Sequence, residues 1–132
     1  MPAKMIHTMI RVLSEETSVN FYQSAFNLTI AERLDFDDFT LVYMSNEEQS
    51  FELELTINKS QTTPYEHGTA YGHLAFVVDD LESEHQRLSS LGLSPKDIVN
   101  FNHEGKALAK FFFIEDPDGY KIEVLQKLGR FR

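Results

Sequence analysis

The chain has 132 residues, no cysteine and a net charge of −9, because 21 acidic residues outnumber 12 lysines and arginines. This length fits one compact unit or two very small ones, and the acidic balance argues against nucleic acid or an anionic membrane surface as a partner. Without cysteine there are no disulfides, thiolate metal sites or cysteine nucleophiles. The N-terminus lacks the apolar stretch of a signal peptide, and Phe111–Ile114 is too short to span a bilayer, so we expect a cytoplasmic protein.

The first half of the chain predicts one helix among four strands. A strand over Met5–Leu13 precedes a helix over Glu15–Phe26, for which Ser14 is a suitable N-cap. Asn27 tolerates the left-handed conformation that ends helices. Polar turns then separate three further predicted strands, Thr29–Arg33, Phe39–Ser45 and Phe51–Ile57.

The second half predicts the same order of elements. After a strand over Gly72–Val78, Asp79 and Glu82 have the spacing of a capping box for a helix that continues to Leu91, where Gly92 closes it. Asp116-Pro117-Asp118-Gly119 is a strong turn signal. The remaining predicted strands are Lys96–Val99, Lys106–Glu115 and Tyr120–Gln126.

Each half therefore has the order βαβββ, which predicts an α+β protein built from an internal repeat. We expect residues 1–132 to form a single domain in which modules 5–58 and 70–126 are joined by a linker, 59–69.

Each module places one histidine and one glutamate inside runs that otherwise have the character of buried strands. Glu54 follows His7 by 47 residues, and Glu123 follows His73 by 50. An unpaired charge or imidazole buried there costs several kcal/mol, roughly, so these residues should be paired or should bind something.

Two imidazoles and two carboxylates suit one divalent ion such as Zn(II), Ni(II), Co(II), Mn(II) or Fe(II), and they argue against Cu(I). Four protein ligands on an octahedral ion leave two positions open for water or substrate oxygens. Arg11 lies on the same strand face as His7, and Asn58 on the same face as Glu54.

Simpler explanations exist for each of these residues. A histidine in a strand is usually structural, and a glutamate that alternates with leucines usually faces solvent. The repeat favours the metal site because it supplies the same pair twice. We interpret His67, His85 and His103 as surface or helix-face residues, and the run Phe111–Phe113 as core.

Four segments resemble the glyoxalase I (lactoylglutathione lyase) family of the vicinal oxygen chelate superfamily. Two belong to the first module, His7–Val12 and Glu54–Asn58; the two most specific segments are Gly68–His73 and Glu115–Glu123. The resemblance extends from about His7 to Leu125, nearly the whole chain.

The resemblance implies curved, mixed but mostly antiparallel sheets and a homodimer whose subunits share each active site. It implies that His7, Glu54, His73 and Glu123 bind one divalent metal ion per site, with Ni(II) or Co(II) favoured and Zn(II) possible. The residues expected to contact the substrate are Arg11, Asn58 and His73.

The implied reaction converts the hemithioacetal of methylglyoxal and glutathione to S-lactoylglutathione through an enediolate. Glu123 would be the general base and Glu54 its symmetry-related counterpart. Lys106 and Lys110 lie in a segment that departs from the family's glycine-rich loop, so no substrate carboxylate is assigned to them. Because the net charge of −9 does not attract an anionic tripeptide, the thiol could differ from glutathione.

Two alternatives remain open. One is another metal-dependent member of the superfamily, such as an epimerase that acts next to a thioester and needs the same metal and the same proton transfer. The other is a metal-free drug-binding resistance protein, which does not need all four of His7, Glu54, His73 and Glu123.

Overall fold

Two four-stranded sheets, each with one helix, make up the protein. The computed structural model describes residues 1–132 and divides into two units, Met1–Glu66 and His67–Arg132. The elements of the first unit are β1 (His7–Arg11), α1 (Glu15–Phe26), β2 (Thr29–Asp35), β3 (Phe39–Ser45) and β4 (Glu52–Asn58). Those of the second are β5 (Leu74–Val78), α2 (Leu81–Ser90), β6 (Val99–His103), β7 (Lys106–Glu115) and β8 (Lys121–Gln126).

Both sheets have the same topology. The strand order is β1-β4-β3-β2 in the first unit and β5-β8-β7-β6 in the second. The first and last strands of each unit pair in parallel, and the other pairs are antiparallel. The predicted α+β class and the repeated βαβββ order are therefore confirmed. No helix is long and apolar enough to cross a membrane.

The first helix begins and ends where its capping residues predict. The side chain of Ser14 accepts a hydrogen bond from the backbone N–H of Thr17 at 3.2 Å, and Asn27 ends the helix in the left-handed conformation with φ 55°. Val19 and Tyr22 are buried on the face that meets the core, as the apolar spacing predicts.

The N-cap of the second helix is Asp80, so the prediction of Asp79 is wrong by one residue. Asp80 accepts a hydrogen bond from the N–H of Ser83 at 3.1 Å, and the helix ends at Ser90 rather than Leu91. The reason lies in the first turn. Leu81 is fully buried, and its N–H donates to the side-chain oxygen of Gln126 at 3.0 Å, which places the cap immediately before it.

The strand predicted over Lys96–Val99 instead begins at Val99 and runs to His103. Glu104 and Gly105 both have positive φ, 52° and 77°, and make the tight turn that pairs this strand with β7. Lys96 lies outside the ladder, although its N–H donates to the carbonyl oxygen of Phe113 at 2.8 Å.

In each sheet, alternate residues of the last strand separate a core face from a polar face. Leu53 and Leu55 of β4 are buried in the first unit, and Ile122 and Val124 of β8 are buried in the second. Because side chains alternate along a strand, the glutamate between each apolar pair points to the other face of its sheet.

Two leucines at the end of the second helix give a matched test of this core. Leu88 is fully buried, whereas Leu91, at the C-cap, is 50% exposed. We expect Leu88→Ala to lower the free energy of unfolding by about 2–5 kcal/mol and Leu91→Ala to lower it by no more than about 0.5 kcal/mol. Urea unfolding followed by circular dichroism measures both losses. Equal losses would contradict the burial of Leu88 in the core.

Candidate functional site

The first histidine–glutamate pair lies on two neighbouring parallel strands. His7 begins β1 and Glu54 is in the middle of β4, where its Cα pairs with that of Met9. His7 and Met9 are two residues apart, so their side chains share a face with Glu54. The His7 Nε2 atom lies 3.0 Å from Oε1 of Glu54.

The second pair repeats this arrangement in the other unit. Glu123 pairs in register with Ala75, two residues after His73. The His73 Nε2 atom lies 3.3 Å from Oε1 of Glu123. The predicted strand over Gly72–Val78 starts only at Leu74, so His73 immediately precedes the strand instead of lying inside it.

Each pair brings one imidazole nitrogen and one carboxylate oxygen to the same point. These donors fit a divalent ion of borderline hardness. No group of three or more histidine, aspartate or glutamate side chains in the chain is arranged to hold a metal ion. One pair alone therefore supplies too few protein ligands for a structural or catalytic zinc-type site, which uses at least three.

An aromatic side chain stands beside each pair on the next strand of the sheet. Tyr43 of β3 is in register with Glu54, and its ring meets His7 edge-on with centroids 5.7 Å apart. Phe113 of β7 is in register with Glu123, and its ring meets His73 edge-on at 5.3 Å.

The two aromatic residues were not recognised as part of the site from the sequence. Phe113 was interpreted as core, but only Phe112 of that run is fully buried. Burial raises the pKa of Tyr43, and the negative charge of Glu54 raises that pKa further. The available sequence signal was the alternation in β3, which puts Tyr43 on the face away from buried Val42 and Met44.

The two predicted recognition residues lie towards the far end of the first pair's strands. Arg11 ends β1 in register with Thr56. Asn58 ends β4, and its Nδ2 donates a hydrogen bond to the hydroxyl of Tyr65 at 3.3 Å. Their contact with a substrate stays a prediction, as does the role of His73 in binding one.

His67 is not the simple surface residue that the sequence suggested. Its ring stacks on Tyr120 with centroids 4.1 Å apart and planes inclined by 7°, and its Nε2 atom is buried without a hydrogen-bond partner. With Tyr71, His73 and Lys121 it lines a cavity of about 340 Å³. Burial, and then the negative charge of Asp116, raise the pKa of Tyr71 to about 12.

The lysines of the second unit differ in their surroundings. Lys110 forms an ion pair with Glu82 on helix α2, and Lys106 begins β7 at the surface. Lys96 and Lys121 instead line a second cavity, of about 500 Å³, together with Phe113. The position of Lys96 and Lys121 at this cavity was not predicted from the sequence.

Comparison with known proteins identifies a family. Residues 4–124 match the model of the Glyoxalase/Bleomycin resistance protein/Dioxygenase superfamily. A lactoylglutathione lyase of Neisseria meningitidis serogroup A is 38% identical over 129 residues, which cover 94% of this chain and 91% of that protein. One of Haemophilus influenzae is 34% identical over 127 residues, with 93% and 92% covered.

Solved structures show the same similarity. Glyoxalase I of Leishmania major, described as trypanothione-dependent, has 33% identity and a TM-score of 0.76, with 96% of this chain and 88% of that one covered. Glyoxalase I of Zea mays has 27% identity and a TM-score of 0.77, with 96% of this chain and 45% of that longer one covered.

The geometry of the pairs predicts how metal binding depends on the histidines. We expect the apoprotein to bind about one divalent ion per chain, and His73→Ala or His7→Ala to lower occupancy at least tenfold because each removes one ligand. His103→Ala is the control, since that side chain is 68% exposed and should leave occupancy unchanged. Metal analysis after dialysis measures the occupancy of each variant. If His7→Ala and His73→Ala both bind as much metal as the parent protein, the proposed site is ruled out.

Proposed function

Because the chain belongs to the glyoxalase/bleomycin resistance protein/dioxygenase superfamily, we propose that it is a metal-dependent lactoylglutathione lyase. In this reaction the hemithioacetal of methylglyoxal and glutathione is isomerised to S-lactoylglutathione. The observation that carries the proposal is the histidine–glutamate pair that recurs on the polar face of both sheets. Curated relatives of that activity match over nearly their whole length, which supports it.

We assign the metal to His7, Glu54, His73 and Glu123. Their N/O donor set suits Ni(II) or Co(II), which we favour, and Zn(II). When bound, the ion supplies Lewis-acid stabilisation of negative charge on the adjacent hydroxyl and carbonyl oxygens of the substrate. We also propose a homodimer in which one subunit provides His7 and Glu54 and its partner provides His73 and Glu123, as the resemblance to the family implies. Sedimentation velocity measures whether the protein is a dimer.

Glu123 takes the carbon-bound proton in this mechanism and delivers it to the neighbouring carbon. Its side chain is 18% exposed, whereas that of Glu54 is 10% exposed. A positioned proton-transfer group contributes roughly 10²–10⁴-fold to a rate.

Arg11 and Asn58 bind the thiol-bearing part of the substrate in this proposal, and glutathione is the thiol that the names of the bacterial relatives indicate. The Leishmania enzyme, which is 33% identical to this chain, is described as trypanothione-dependent. Trypanothione is therefore a second thiol to test. Net charge does not decide between the two, since local charge around a cleft governs the approach of a ligand.

A panel of thiols and acyl-thioesters tests the proposed reaction. We expect the Ni(II)- or Co(II)-loaded protein to form the thioester from methylglyoxal and glutathione faster than from methylglyoxal and trypanothione, and to leave the α-carbon of acyl-thioesters unchanged. Thioester formation is measured by absorbance, and epimerisation by exchange of solvent deuterium. Deuterium exchange without thioester formation would identify an epimerase, and no metal-dependent turnover at all would favour a drug-binding protein.

Replacement of each carboxylate tests the assignment of the base. Glu123→Gln keeps the shape of the side chain and an oxygen donor but removes the proton acceptor, so we expect retained folding, partial metal content and a kcat that falls about 10²-fold or more. Glu54→Gln is the matched control and should cost less. Steady-state assays of both variants with metal added back decide; an inactive Glu54→Gln beside a fully active Glu123→Gln would reverse the roles.

A further inference from the structure

The aromatic residues beside the two histidine–glutamate pairs differ by one hydroxyl group. In each unit the neighbouring strand places an aromatic ring in register with the glutamate and edge-on to the histidine. In the first unit this ring is the phenol of Tyr43, and in the second it is the phenyl ring of Phe113. A hydroxyl group that is present on the ring beside one glutamate and absent beside the other can give two otherwise equivalent glutamates different tasks.

The glutamate beside the phenol is the more closely held of the two. Glu54 has its histidine at 3.0 Å, is 8% exposed as a residue and lies in register with Tyr43, whose ring meets the same histidine edge-on. Glu123 has its histidine at the longer distance of 3.3 Å. It lies in register with Phe113, whose side chain has no hydrogen-bond donor. A phenol within reach of a carboxylate donates a hydrogen bond to it, and such a charge-assisted bond restricts the orientation of the carboxylate.

We propose that Tyr43 is a positioning residue that holds Glu54 as a fixed metal ligand, whereas Phe113 leaves Glu123 free to turn towards the substrate and accept its proton. The inference rests on the proposed function, because it concerns the same four ligands. It adds to that function the reason why two symmetry-related carboxylates act differently.

The physical argument depends on what each carboxylate must do. A carboxylate that only binds metal binds it more tightly when a hydrogen-bond donor fixes its orientation. Removal of such a hydrogen-bond partner typically weakens metal binding about 10- to 100-fold. A carboxylate that collects a proton from carbon must instead present a lone pair to the substrate. A hydroxyl group bonded to that carboxylate would compete for the lone pair, so its absence at Phe113 suits the task.

Two reciprocal variants test the proposal, Tyr43→Phe and Phe113→Tyr. Each changes one oxygen atom on a half-buried ring, so each is the other's control for packing. The first measurement uses no substrate: Ni²⁺ affinity, by competition with a chromophoric chelator. We expect Tyr43→Phe to weaken Ni²⁺ binding about tenfold or more, and the apoprotein's melting temperature to change little.

The second measurement compares the two glutamates in each background. In the parent, Glu123→Gln should lower kcat more than Glu54→Gln does. In Tyr43→Phe that difference should shrink, because Glu54 becomes free to turn. In Phe113→Tyr, kcat should fall about tenfold with little change in KM, because the new hydroxyl binds the proton-accepting carboxylate.

Parent-like Ni²⁺ affinity in a folded Tyr43→Phe protein would overturn the inference, as would an unchanged difference between the two glutamine substitutions. If Tyr43→Phe does not fold, Phe113→Tyr decides alone, and an unchanged kcat there counts against the proposal. A parent protein with no isomerase activity would refute the proposed function instead. The Ni²⁺ measurement would then still establish whether Tyr43 supports Glu54 as a ligand.

Discussion

The parallel pairing of the first and last strands of each unit fixes the rest of the site. It brings residues about fifty positions apart in the sequence onto one sheet face, and parallel strands need a long crossover, which the helix and two further strands provide. Register is strict because Leu53 and Leu55 are buried on the opposite face from Glu54. A slip of one residue would turn both leucines to the polar face and the glutamate into the core. The apolar packing that stabilises each module therefore also positions its histidine and glutamate on the polar face of the sheet.

Much of this architecture could be predicted from the sequence, because local signals and tertiary packing agree. The helix Glu15–Phe26 has a capping serine, an apolar face and a terminal asparagine that all indicate the same boundaries. Predictions failed where a tertiary contact chose between adjacent local options. The capping-box spacing to Glu82 favours Asp79 by sequence, whereas the hydrogen bond from Leu81 to Gln126 of a distant strand selects Asp80. The environment of His67 depends likewise on Tyr120, which lies far along the chain.

The tyrosine beside the first pair shows a different limit of sequence reasoning. Alternation assigns Tyr43 to a face, but which glutamate it meets depends on the register between strands, and the connecting loop sets that register. The residues between β3 and β4 are 46–51, whereas those between β7 and β8 are 116–120, one fewer. Phe113 follows Tyr43 by 70 residues, and the shorter loop reduces this offset to 69 between Glu54 and Glu123. His73 follows His7 by only 66 residues, because the second unit has four more residues between its histidine and its aromatic residue. No single offset of the repeat aligns all three, so the equivalence of Tyr43 and Phe113 becomes visible only in the sheets.

The polar face of each sheet also explains why the site is tolerated in so small a protein. A carboxylate as buried as that of Glu54 is desolvated, and paired charges in such places seldom stabilise a fold relative to apolar side chains of the same size. The cost is limited here because His7 and Tyr43 lie beside the carboxylate on neighbouring strands, and because Leu53 and Leu55 on the opposite face supply apolar burial. In the second unit the exposed fractions of His73 and Glu123 are larger, so less desolvation has to be offset and a hydroxyl group is not needed there. The difference in burial and the difference between tyrosine and phenylalanine thus agree: the more deeply placed glutamate is the one with the additional donor.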